Sequence, residues 1–296
     1  MESGTLGFYG MSKDPKTNEF IMVVQFADRG SLKSILSQDF SKILWKDRII
    51  LLRDLMVDLK YLHKLEYCHG DFHSGNILQD NDEDNAISHV SYISDFGLSG
   101  PADKQNLGGK IYGVLPYIAP EVLNGQPYTK ASVIYSSGIL MTELSSGKPP
   151  FYNRKHDFNL SLAICNGLCP KFGKGTPEFY KKLAYRCMNA DPNQRPVENE
   201  LYDIFQFGND SNNGHFKDEK KFGYYGREIK EVFDKADDII PYISVSYKQD
   251  PNAIYISRAF NFTNLPKPVN SSLVTSYLDN ESNEGIIIQI FDFKLI

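Results

Sequence analysis

Two short stretches of this 296-residue chain set acidic and amide side chains at close, ordered spacing. The first is His69-Gly70-Asp71-Phe72-His73-Ser74-Gly75-Asn76-Ile77-Leu78. The second is Asp95-Phe96-Gly97, with Ala119-Pro120-Glu121 further on. A carboxylate such as Asp71 can take a proton from a hydroxyl and orient its oxygen. Asn76 and Asp95 offer the hard oxygen atoms that magnesium prefers. A lone Asp serves equally well as an N-cap or a turn carboxylate, so each piece alone says little.

The flanking residues must position these groups. Leu6 to Tyr9 and the apolar run Phe20 to Val24, parted by a polar turn through Ser12 to Glu19, read as a hairpin. Asp28-Arg29-Gly30 is a turn, and Ser31 is an N-cap for a short helix through Leu36. Trp45, Ile49, Leu52, Met56 and Leu59, at spacings of four and three, predict a long amphipathic helix just before the first stretch. Polar residues from Asp80 to His89 suit a hairpin tip between the two stretches. Thr129 to Ser145 is small and apolar throughout, as a buried helix would be. Thr176-Pro177 pairs an N-cap with Pro at the first helical position, opening a helix to about Met188. Asp191-Pro192 ends it, and another helix spans Val197 to Phe205.

Composition changes after Phe207. Residues 208–221 are rich in Gly, Asn, Ser and Lys and read as a linker. In the tail, 222–296, Ile229, Val232, Phe233, Ala236 and Ile240 share one helical face, and Ile286 to Phe291 is a closing apolar run. A hydrophobic content of 41% and 23% charged residues suit a globular chain rather than a disordered one. A net charge of -5 leaves no basic footprint for nucleic acid or an anionic membrane. No signal peptide or membrane-length apolar run is present, and four scattered cysteines read as reduced thiols. A cytosolic or nuclear protein is expected.

In order and spacing, the His69–Leu78 stretch, Asp95-Phe96-Gly97 and Ala119-Pro120-Glu121 resemble the catalytic loop, metal loop and activation segment of eukaryotic protein kinases. His73 in place of Lys suggests the tyrosine-kinase-like group, as expanded in some fungi. The resemblance covers roughly Gly4 to Phe207. It implies an α+β fold that is mainly the helical large lobe, with a remnant small-lobe hairpin and hinge. It implies ATP and Mg2+ as cofactors and a protein substrate. Asp71 would be the catalytic base, with Asn76 and Asp95 holding the metal. Adenine would lie against Leu78 and bond the backbone of Gln25 and Ala27, with Val24 as gatekeeper. Glu121 and Arg195 would form an ion pair clamping the activation segment.

Three departures bear on activity. The sequence begins at what resembles the fourth small-lobe strand, so a Gly-rich loop, a phosphate-binding Lys and a helix αC with its Glu are not seen; Lys13 and Lys16 fall in the following turn. Gly70 replaces the Arg that pairs with a phosphorylated activation segment. Between Leu98 and Ile118 only Ser99, Tyr112 and Tyr117 carry hydroxyls, and Gly108-Gly109 belongs to a loop rather than a phosphate cradle. Val133 stands where the family has an Asp that accepts from the catalytic-loop backbone, and Ser137 where it has Phe. The expectation is therefore a protein kinase domain, truncated at its N-terminus and weak or inactive alone. The alternative is a pseudokinase-like binding module.

Overall fold

The computed structural model describes residues 6–81, 89–101, 110–215 and 219–284. Strands β1 (Phe8–Lys13) and β2 (Phe20–Val24) form the expected antiparallel hairpin, with Lys13 opposite Phe20. Both its faces are open: Phe8, Met11, Phe20 and Met22 are each more than half exposed. Helix α1 (Leu32–Asp39) starts on Ser31, whose hydroxyl accepts from the Ser34 N–H. Helix α2 (Trp45–Lys64) buries Trp45, Ile49, Leu52, Met56 and Leu59, the stripe its spacing predicts.

Short β3 (Tyr67–Cys68) leads into the first motif, and β4 (Ile77–Asn81) pairs with β5 (His89–Ile93). The expected hairpin therefore stands, although most of its tip lies outside the described residues. Strand β6 (Gly100–Pro101) returns to pair with β3, and β7 (Ile111–Gly113) precedes the short helix α3 (Pro120–Leu123).

Helix α4 (Lys130–Ser146) is the central buried helix. Thr129 caps it through its hydroxyl, which accepts from Ser132 N–H, while Ser132 Oγ accepts from Thr129 N–H. Gly138 lets α6 approach, since a Cβ there would lie 2.8 Å from Cys187 and Met188. Helix α6 (Glu178–Cys187) packs on α4, α5 (Phe158–Cys165) on α3, and α7 (Glu198–Asn212) on α2. Thr176 is not the cap of α6. Pro177 holds that position, and the Thr176 hydroxyl donates to Gly173 O instead.

Helix α7 also runs further than its sequence suggests. Gly208 is a contact glycine, not a chain-loosening one: a Cβ there would sit 3.3 Å from the Ile49 side chain, beside the Phe233 ring. The following residues stay helical through Asn212, with Ser211 fully buried. The amphipathic tail helix α8 (Gly226–Asp237) buries Ile229, Phe233 and Ala236, and the Phe233 ring stacks 6.2 Å from Trp45. Two tail elements were not foreseen: strand β8 (Arg258–Phe260), which pairs with β7, and helix α9 (Ser272–Glu284), where Val274 is buried. The apolar run from Ile286 to Phe291 and the Gly108-Gly109 pair lie outside the described residues. No helix among the described residues is long and apolar enough to cross a membrane.

Candidate active site

The loop between β3 and β4 is tied to the turn after β5. His69 Nδ1 accepts from the Asp71 N–H at 3.2 Å, so its Nε2 carries the proton that bonds Ser94 O at 2.9 Å. Burial keeps this imidazole neutral by lowering its pKa. Asn76 Nδ2 donates to Asp71 O at 3.0 Å, and Ser94 Oγ donates to Asn76 O at 3.0 Å. These bonds bring Asp71, Asn76 and Asp95 into one site. Asp95 is exposed and left-handed (φ 59°), a backbone state Asp tolerates better than most residues. Gly70 is left-handed too (φ 76°), where glycine costs least, so an Arg at this position would be strained.

Asp71 itself is 7% exposed. His73 Nδ1 accepts from the Gly75 N–H, which leaves Nε2 as the donor facing Asp71 Oδ2 at 3.6 Å. Burial works against the Asp71 charge, but the neighbouring His73 imidazole, and to a lesser degree Ser257 and His69, outweigh it and hold the carboxyl below its usual range. Neither His73 nor Ser257 was anticipated as a partner of Asp71. His73 is visible in the motif as a departure from Lys. Ser257 sits in the tail, where no local pattern marks it.

The supports are buried. Ser74 Oγ and Tyr117 Oη both bond the Glu143 carboxylate, at 3.0 and 2.5 Å. Burial pushes the Glu143 carboxyl up, and through it this network couples the catalytic loop to α4. This network too escaped sequence reasoning. Glu121 and Arg195 meet in the expected ion pair, bidentate at 2.6 and 2.7 Å. Val133, 2% exposed, lines a small cavity with Gly70, Asp71 and Tyr128, and offers them no acceptor. Ser137 turns its hydroxyl back to Val133 O.

The segment leaving β2 runs past β4. Gln25 N–H donates to Gly7 O, and its side-chain amide bonds Asp80 Oδ2 at 2.9 Å. Val24 is exposed, Ala27 buried, and Leu78 bridges to Ser31. Gln25 and Ser31 are thus tied to β4 on either side of Ala27, with Asn76 two residues before Leu78 on the same stretch. Lys13 lies 5.5 Å over the Phe20 ring, on the hairpin rather than in the site.

The donors fit a magnesium nucleotide. With its nitrogen spent on Asp71 O, Asn76 has its oxygen available, and the Gly97 N–H bond to the Asp95 carboxylate is long at 3.4 Å. No cluster of three His, Cys, Asp or Glu side chains suited to a metal occurs among the described residues. Magnesium is usually held by one or two protein oxygens and completed by phosphates and water.

The motifs have counterparts in known proteins. The protein kinase domain family matches residues 6–204. A probable serine/threonine-protein kinase of Dictyostelium discoideum is 28% identical over 183 residues, 62% of this chain and 11% of that protein. The kinase roco8 of the same organism is 31% identical over 189 residues, covering 62% of this chain and 10% of its own length. The mouse dual specificity testis-specific protein kinase 2 is 29% identical over 185 residues, 60% of this chain and 31% of that protein. The chain thus spans between a tenth and a third of these relatives. With the family matched across two thirds of the sequence and its motifs gathered into one site, this chain belongs to the protein kinase family.

Proposed function

We propose that this protein transfers the γ-phosphoryl group of ATP to serine or threonine hydroxyls of protein substrates. The observation that carries this reading is the Asp71 carboxylate, held in its charged form by its neighbours on the loop that carries Asn76 and is tied to the turn before Asp95. Phosphoryl transfer mainly requires positioning and charge stabilisation, and this loop is built for positioning. Asp71 orients an acceptor hydroxyl and takes its proton; the His73 bond keeps it charged for that task. Asn76 and Asp95 hold magnesium through oxygen. Gln25 O and Ala27 N–H face the adenine, and Leu78 forms its floor. ATP supplies the phosphoryl group and, with magnesium, the charge to be neutralised. The relatives named as serine/threonine kinases support the acceptor class. Placement in the tyrosine-kinase-like group rests on His73 and motif form alone. Four free cysteines suit a cytosolic or nuclear protein.

A second reading, a binding module with impaired transfer, is favoured by Val133, which gives the catalytic loop no acceptor, and by Gly70, which removes a phosphate-pairing guanidinium. Titration of Mg-ATP by calorimetry, with a generic protein acceptor present in a parallel assay, separates the two. Weak binding with transfer that Asp71→Asn abolishes supports the kinase. Binding without transfer supports the module. Low-micromolar affinity would mean that phosphate contacts come from residues other than those named here.

A further inference from the structure

Four side chains among the described residues hold buried nitrogens without a hydrogen-bond partner: Arg48, His63, Asn212 and Arg258. Arg48 is enclosed between the Phe40 and Trp45 rings, His63 faces the Glu198 carboxylate at 3.3 Å, and Asn212 is the last residue of α7. Arg258 is the one of the four that borders the active site. Strand β8 pairs antiparallel with β7 and sets Arg258 opposite Gly113. Gly113 is next to the catalytic carboxylate: a Cβ built on it would stand 3.4 Å from Asp71 Oδ1. Opposed residues of such a ladder project on the same face, their Cβ atoms about 5 Å apart. The Arg258 side chain therefore leaves its strand on the face that Asp71 occupies, and Gly113 adds no side chain between the two. The guanidinium is held in place. Its Nη2 donates to His156 O at 2.6 Å, and it lies 4.9 Å over the Phe260 ring, which Phe262 backs at 5.4 Å. A guanidinium carries five N–H donors, yet among the described residues no carboxylate pairs with this one. The Asp250 carboxylate, whose charge also reaches His156, is spent on the Asn252 N–H at 2.8 Å. A fixed, half-buried cation with a buried N–H to spare is costly until an anion completes it.

Resting on the kinase reading above, we propose that Arg258 sets the substrate class: it recognises an acidic side chain of the acceptor protein, one to three residues from the hydroxyl presented to Asp71. The spacing follows from the ladder. An extended peptide advances about 3.3 Å per residue, so a neighbour one to three positions away spans the gap between the base and a side chain one strand over. A carboxylate fits the planar fork and can take two of its free donors at once. Nucleotide phosphates fit it less well. Asn76 and Asp95, which offer oxygens to the metal, belong to the loop before β4 and the turn after β5, whereas Arg258 meets the site through β7. The same arrangement gives discrimination. An acidic peptide approaching Asp71 meets a like charge, and the guanidinium turns that repulsion into attraction for a carboxylate placed at the right distance. The tail strand thus acts as a reader of the residues that flank the acceptor.

The test uses the full chain and peptides built on one serine acceptor: a parent flanked by alanine, and variants with aspartate or lysine at each of the three positions on either side. Binding is read by fluorescence anisotropy without nucleotide, so it needs no activity. Aspartate at one of these positions should tighten binding at least about fivefold over the parent. That gain should vanish in Arg258→Gln, survive in Arg258→Lys, and pass to the lysine peptides in Arg258→Glu. A clamp that merely held β8 on β7 would not exchange one peptide charge for the other. Equal binding of aspartate and alanine peptides, an aspartate gain that Arg258→Gln retains, or no binding of any peptide overturns the proposal. So does a fall in Mg-ATP affinity in Arg258→Gln, which would assign the guanidinium to nucleotide phosphates. Transfer from Mg-ATP is measured on the same peptides. Equal transfer to aspartate and alanine peptides sinks the proposal and leaves the kinase reading standing. Aspartate-selective binding with no transfer removes the kinase reading and keeps Arg258 as the reader of an acidic partner.

Discussion

Removing the Glu121–Arg195 pair should unfasten the activation segment from α4 and the loop before α7. The guanidinium is fully enclosed and its partner carboxylate is 11% exposed, so water screens the contact little. With charge centres about 4 Å apart and an effective dielectric near 20, the attraction is about 4 kcal/mol. Arg195 also donates from Nε to Asn189 O at 2.8 Å and from Nη1 to Ala131 O at 3.0 Å. Arg195→Ala should therefore cost about 4 kcal/mol, since it strands a buried carboxylate and two carbonyls. Glu121→Ala should cost about 3 kcal/mol, because its guanidinium keeps the two carbonyl acceptors. Arg195→Lys should recover little of the loss, lacking the planar fork. A double-mutant cycle in urea should return a coupling of about 2–3 kcal/mol, nearly the same at low and high salt. A coupling below about 0.5 kcal/mol, the range of exposed pairs, would refute the reasoning and mean that the segment is held by apolar packing alone.

Val133→Asp should place an acceptor beside the Gly70 backbone across the small cavity and raise stability by about 1 kcal/mol with an unchanged m-value. A loss would mean the loop has repacked around valine. Burial, followed by the neighbouring charge of Asp54, raises the Asp58 carboxyl to about 7. The native state therefore holds a proton that the unfolded chain releases, so this group's contribution is complete below about pH 4 and is lost as pH rises towards 7. Asp58→Asn should thus gain about 2 kcal/mol over wild type between pH 4 and 8, after discounting for partial exposure. An equal difference at both pH values would count against it. Phe233→Ala should cost about 3–5 kcal/mol by leaving a hole against Trp45, whereas Val232→Ala, at 37% exposure, should fall within about 0.5 kcal/mol. A neutral Phe233→Ala would show that α8 does not bear on the core.

The catalytic loop could be read from sequence because its chemistry demands particular residue types within a few positions of one another. Helices α2 and α4 were legible for a related reason: burial on one side or on all sides repeats along a single segment. What stayed hidden were contacts made between distant segments. Gly208 reads as a linker residue until the Ile49 and Phe233 side chains are seen against it. Glu143 reads as one acid in an apolar helix, and only the fold brings Ser74 and Tyr117 to it. Thr176 before Pro177 has the form of a cap, but the Gly173 carbonyl competes successfully for its hydroxyl. Strand β8 is three residues long and has no pattern of its own. It is a strand because β7 offers an edge.

One bond at the start of α2 governs how the chain can be made. The Trp45 N–H, an unpaired donor in the first turn of its helix, is satisfied by Asp237 Oδ1 at 2.7 Å, a partner 192 residues away. At synthesis rates of 5–20 residues per second, Trp45 leaves the peptidyl-transferase centre roughly 10–40 s before its partner is added. Throughout most of that interval the indole that later stacks on Phe233 can meet only the Tyr180 ring, 4.9 Å away and edge-on, and the Trp45 N–H lacks its acceptor. The nascent large lobe is therefore obliged to wait, with an aromatic patch uncovered, for a segment that follows the whole catalytic apparatus in the message. Closure over so many residues carries a high loop-entropy cost and makes docking of α8 a late event in folding. A ribosome stalled before codon 237 would display that patch to chaperones, and release of the finished chain would hide it.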